Sequence, residues 1–115
     1  MTKREVLSFV RSIKPHDMED EVMLLWLEEL EKKVALEIHG KPLLEGRVLG
    51  LNEEQLSVPA PFDKIYWTYL VAMLELVKGT TEGYQFANTV FREAYSDYAK
   101  HVQRRFGFGR RRARA

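Results

Sequence analysis

Six arginines crowd the C-terminal end of the chain: Arg104, Arg105, Arg110, Arg111, Arg112 and Arg114. Arginine carries a planar, permanently charged fork that matches phosphate and carboxylate. Phe106 and Phe108 stand between them. Two chemistries suit this pattern. One is nucleic-acid contact driven by counterion release. The other is docking on an acidic groove of a protein partner, with the phenylalanines as anchors. A terminal charge run that only solubilises the chain is the plainer alternative. The charge split sharpens the signal. Residues 1–97 hold 11 Lys+Arg against 17 Asp+Glu, a balance of −6, whereas residues 98–115 hold 7 Lys+Arg and no acid. An acidic body with a basic end suggests that the end meets phosphates or an acidic partner.

Catalytic and metal-binding patterns are missing. The histidines His16, His39 and His101 show no HExxH spacing. Gly40-Lys41-Pro42 lacks the glycine spacing of a phosphate loop, and there is no GxGxxG or GxSxG. Ser8, Ser12, Ser57 and Ser96 have no base at a recognisable spacing. The acidic pairs Glu28/Glu29 and Glu53/Glu54 are adjacent in sequence and would point apart on a helix. Cysteine is absent, which excludes disulfides, thiolate metal sites and thiol nucleophiles. The expectation is a protein that is not an enzyme and holds no metal or cofactor. Most aromatic residues fall at core spacing. Trp67 and Tyr84 fall off those stripes, which makes them candidates for a protein interface.

These residues need a scaffold, and 115 residues suffice for one domain. The apolar pattern predicts an all-α bundle of about four helices. Residues 3–13 form the first, with Val6, Leu7, Phe9, Val10 and Ile13 inward and Lys3, Arg4 and Arg11 off that side. Pro15 stops it. The second is expected from Asp17 to His39-Gly40, with Met23, Trp26, Leu27, Leu30, Val34 and Ile38 inward and Trp26 as a core anchor. Residues 40–61 read as a long loop or a small β-hairpin. Its candidate strands are Arg47–Leu49 and Gln55–Val58.

A third helix is expected from Pro61 to Gly79. Phe62, Tyr66, Tyr69, Met73 and Leu76 form its stripe, which Ile65, Ala72 and Val77 widen. The fourth starts at Thr80 or Thr81, with Phe86, Val90, Phe91, Ala94, Tyr95, Tyr98 and Val102 inward. The short link makes these two an antiparallel hairpin. Residues 1–105 would then form a single helical domain, and residues 106–115 a basic, flexible tail. No apolar run approaches the roughly 18 residues of a membrane span. The start shows no signal-peptide core, so the expected site of residence is the cytoplasm.

Several stretches together resemble a known family. They are Val6…Lys14-Pro15, Leu25-Trp26-Leu27-Glu28-Glu29-Leu30-Glu31, Leu56-Ser57-Val58-Pro59-Ala60-Pro61-Phe62-Asp63-Lys64-Ile65-Tyr66, and Ala87-Asn88…Phe91-Arg92-Glu93-Ala94-Tyr95-Ser96-Asp97-Tyr98. Their order is similar to that of small head–tail connector, or head-completion, proteins of tailed phages and prophages. The resemblance implies a helical protomer that joins a ring beneath the portal, about twelve-fold. Such a ring extends the DNA channel and offers a platform for the next neck or tail component. The implied partners are the portal protein, a neck or tail-completion protein and further copies of the chain, with no membrane. The implied location is the virion neck, with host cytoplasm during assembly. In such connectors the C-terminal segment can reach into the portal. From its charge, the segment Arg104–Arg114 is expected to dock on an acidic portal surface or to lie beside channel DNA. The rival reading is a small helical nucleic-acid-binding protein that uses the arginine-rich end.

Overall fold

The computed structural model describes residues 1–40 and 56–106, the last by its backbone alone. Four helices account for most of them: α1, Lys3–Ile13; α2, Asp20–Val34; α3, Lys64–Lys78; and α4, Thr81–Phe106. A π-helical turn, Ala35–His39, extends α2. The segment Leu56–Val58 is irregular, and no strand occurs among the described residues. The predicted hairpin turn and its first strand, at Arg47–Glu53, lie outside them.

Local chemistry explains the boundaries. Thr2 and Glu5 close a capping box at the start of α1. The Thr2 hydroxyl accepts from the Glu5 N–H at 3.1 Å, and the Glu5 carboxylate accepts from the Thr2 N–H at 2.9 Å. α2 begins three residues later than expected. The His16 ring accepts the Met18 N–H at 3.0 Å, which holds residues 16–18 in a turn ahead of the helix. The π turn ends at Gly40 and α3 ends at Gly79, both with positive φ (83° and 82°), the left-handed conformation that glycine adopts without a Cβ clash. Pro61 lies in the turn that precedes α3, not in its first helical turn.

α3 and α4 form the expected antiparallel hairpin, the most extensive helix contact in the molecule. α1 packs mainly on α3, α2 packs on α3 and α1, and the π turn reaches α4. The core gathers Val6 and Val10 from α1, and Met23, Leu27, Leu30 and Val34 from α2. Ile65, Tyr66, Leu70 and Leu74 come from α3, and Phe91, Ala94, Tyr98 and Val102 from α4.

Several inward assignments are corrected. Trp26 is half-buried at the margin, because Met23, Leu27 and Leu30 already fill the interior at that level. On α3 Ile65, Tyr66 and Ala72 are buried as expected, Leu70 and Leu74 join them, and Tyr69 and Met73 are half-buried. Leu76 and Val77 are 51% and 57% exposed, since they approach the chain reversal where no helix covers them. Phe86 on α4 is 74% exposed, and Ala87 takes the inward position instead. Ile13 is exposed at the open end of α1. Lys3 was expected off the apolar side but is only 6% exposed, with its ammonium 3.6 Å from Glu28. Its aliphatic stem covers core while the charged end finds a carboxylate.

An ion pair between Lys14 and Glu75 ties the end of α1 to α3 and holds the Glu75 carboxyl below its usual range. Gly83 provides the room: a Cβ there would lie 2.5 Å from the Glu75 carboxylate oxygen.

Candidate functional site

The sequence-predicted site residues divide into two groups. Arg104 and Arg105 are exposed in the last turn of α4, where positive charge complements the helix dipole. Phe106 closes that helix. Phe108, Arg110, Arg111, Arg112 and Arg114 lie outside the described residues. Trp67 and Tyr84, the two aromatic interface candidates, are both half-buried. Trp67 receives the edge of Phe9 at a ring separation of 5.2 Å, so part of its surface already serves the α1–α3 contact. The rest borders an apolar groove formed with Ile13, Val71, Phe86, Ala87 and Val90. Tyr84 stands in the first turn of α4, away from that groove's lining.

α4 presents its exposed residues in an ordered way. Glu82, Phe86, Glu93 and Asp97, with half-buried Val90 between them, follow at steps of three and four residues and therefore share one face. Lys100 and Arg104 continue the same stripe. The face thus runs from acidic and apolar at the helix start to basic at its end.

Among the described residues, a dense polar cluster surrounds the buried Glu31. Its side chain is 8% exposed, and three donors fill it. The Tyr66 hydroxyl donates to Oε1 at 2.7 Å, the Ser57 hydroxyl to Oε1 at 2.9 Å, and the Ser57 N–H to Oε2 at 3.0 Å. The Tyr66 oxygen in turn accepts the Val58 N–H at 2.8 Å. Burial, followed by the nearby Glu31 charge, pushes the Tyr66 phenol far above its ordinary range. The hydroxyl therefore stays protonated and keeps donating. Chemically the cluster is a clamp. It pins the Leu56–Asp63 turn between α2 and α3, and its lone pairs are spent on structural donors.

Sequence reasoning missed Glu31. The signal was present: Leu27, Glu31, Val34 and Ile38 share one helix face, so an acid interrupts an inward stripe.

A second cluster joins the π turn to α4. His39 Nε2 lies 2.8 Å from the Tyr98 hydroxyl, and the Phe62 ring packs against His101 at 4.5 Å and Tyr98 at 5.5 Å. Beside it the Tyr95 hydroxyl donates to Glu37 at 2.6 Å, while Lys33 donates to the other Glu37 oxygen at 3.0 Å. These two bonds hold the Glu37 carboxyl below its usual range. No group of three or more His, Asp or Glu side chains with metal-binding geometry occurs among the described residues. None of the described helices is long and apolar enough to cross a membrane.

His16 borders a third feature, a cleft of 270 Å³ lined by Lys14, Met18, Leu74, Val77 and Lys78. Its Nδ1 accepts the Met18 N–H, so the proton of the neutral ring sits on Nε2, which is buried without a partner. Protonation would break the Nδ1 bond. Burial, and then the Arg11 charge, hold His16 below its ordinary value of 6.5, against a smaller opposing pull from Asp17 and Asp20. The sign follows from linkage. The unfolded chain takes up a proton near 6.5 and the folded chain resists it, so stability falls as pH drops through that value. Thermal midpoints should decline between about pH 7.5 and 5.5, and His16→Gln should flatten that decline. An equal slope in the variant would show that other groups carry it.

Comparison with protein families, curated proteins and solved structures finds no match to this chain.

Proposed function

We propose that the chain is a structural protein of the tailed-phage neck, a head–tail connector. It assembles as a ring on the portal, extends the DNA channel and forms the platform for the next neck or tail component. One observation carries this reading. Three of the four stretches that resemble such connectors are far apart in sequence, yet they meet through two contacts, the Glu31 clamp and the Phe62–Tyr98 ring pair. Glu31 comes from the Leu25–Glu31 stretch of α2. Ser57, Val58 and Phe62 come from the Leu56–Asp63 turn, Tyr66 from α3, and Tyr98 from α4. Residues of the resembling stretches help to build the protomer itself, as a family whose shape repeats in a ring would require.

The charge distribution supports the same reading. A protomer with an acidic body and a basic end can meet a neighbouring surface head to tail, and such a contact makes a ring when its rotation closes. The Arg-Phe end is the attaching segment, and an acidic protein surface is its target. A DNA channel must let the duplex slide, and tight phosphate forks would retard it. DNA binding by the free protein decides between this and the nucleic-acid-binding alternative. Contact through about five arginines would give a log–log salt slope on the order of −4. The expected binding is weaker and lacks that slope. Imaging of the protein on its portal tests the ring.

A further inference from the structure

We propose that the apolar groove between α1, α3 and α4 receives the arginine–phenylalanine C-terminal segment of a second copy of this chain. The inference rests on the ring reading in one respect: it names the acceptor surface for the head-to-tail contact between neighbours.

The groove has the size and chemistry of a phenyl-ring site. Its volume is 150 Å³, and Trp67, Val71, Phe86 and Val90 give it an almost wholly apolar wall. An apolar cavity of about that volume accepts benzene. It is open to solvent beside Phe86, which projects 74% exposed from α4. A large ring so exposed, next to an apolar groove, is the mark of a surface that another molecule covers.

Charge selects the occupant. On the α4 side Glu82 precedes the groove, and Glu93 and Asp97 follow it along the same exposed face. An incoming segment should therefore carry an apolar ring flanked by cations. Phe106 and Phe108, set among Arg104, Arg105, Arg110, Arg111 and Arg112, are such a segment. Guanidinium forks suit the three carboxylates.

Reach excludes the segment's own groove. Val90 and Phe106 both lie on α4, and at the helical rise their positions are about 24 Å apart. Phe108 follows two residues later, which adds at most about 7 Å of chain. Its ring cannot return to the groove of its own protomer. The contact must be made between copies. It joins two different surfaces, so each copy keeps one donor segment and one acceptor groove for further neighbours.

The test uses the full chain without any portal. Sedimentation equilibrium at low salt, up to about 1 mM protein, reads weak self-association. The expected wild-type result is an average mass that rises with concentration and falls when salt is added. Phe86→Lys alters the groove at an exposed position, so the fold should survive, as circular dichroism can check. A tail variant combines Phe108→Ser with Arg110→Ser, Arg111→Ser and Arg112→Ser. Each variant alone should associate at least ~10-fold more weakly than wild type. An equimolar mixture of the two should form a 1:1 dimer that grows no further, because one intact segment meets one intact groove and no second pair remains. Wild type that stays monomeric at the highest concentration would overturn the proposal. So would a tail variant that associates as well as wild type, which would mean that grooves pair with grooves. Failure of wild type to bind a portal would strike the ring reading and leave this contact standing.

Discussion

Glu31→Ala should lower the free energy of unfolding by about 2–4 kcal/mol, the largest effect expected of any single polar side chain among the described residues. The substitution leaves the buried Tyr66 hydroxyl and the part-buried Ser57 hydroxyl and N–H without their acceptor. Each loses water on folding and gains nothing in return. The damage should spread, because the Tyr66 oxygen that accepts the Val58 N–H is itself held by Glu31. Glu31→Gln preserves bulk and one acceptor oxygen but turns an amide N–H₂ toward donors, so a smaller loss of about 1–3 kcal/mol is expected. Urea denaturation of the three proteins gives these differences directly. An alanine variant within about 1 kcal/mol of wild type would show that the clamp contributes little to folding.

The second large effect concerns assembly and leaves folding untouched. Removal of residues 107–115 should change unfolding free energy by no more than about 0.5 kcal/mol, since the core ends with Tyr98 and Val102 on α4. The same removal should abolish ring formation on the portal, because it takes away Phe108 and four of the six clustered arginines. The pairing of an intact thermal transition with lost attachment is the signature. If the shortened chain joined the portal with full affinity, the segment would not be the attaching element and would serve only as a solubilising end there.

The sequence already displayed most of this fold, for identifiable reasons. α1 is bounded as its pattern predicts because its apolar positions, its Thr2–Glu5 capping box and Pro15 all agree. Gly40 and Gly79 end their helices where expected because the left-handed conformation there suits glycine. The α3–α4 hairpin follows from its short link. What stayed hidden depends on neighbours that periodicity does not show. Leu76, Val77 and Phe86 continue apolar stripes but sit where no third helix covers them. Leu70 and Leu74 are buried because α1 and α2 close over that side of α3. Trp26 is displaced to the margin by smaller residues that fill the centre.

The candidate surfaces were legible to different degrees. The basic end is visible from charge alone. The groove needed three helices in place before Trp67, Val71 and Phe86 could be seen together. Glu31 was visible only as an acid on an apolar face. Its purpose appears once Ser57 and Tyr66, distant in sequence, are brought to its two oxygens.

The connector assignment is tested most directly by electron microscopy of the full chain mixed with the portal ring of the same phage or prophage. The expected image is a second ring of about twelve copies, coaxial with the portal and continuing its channel. Portal particles that carry no added density at saturating protein would contradict the assignment.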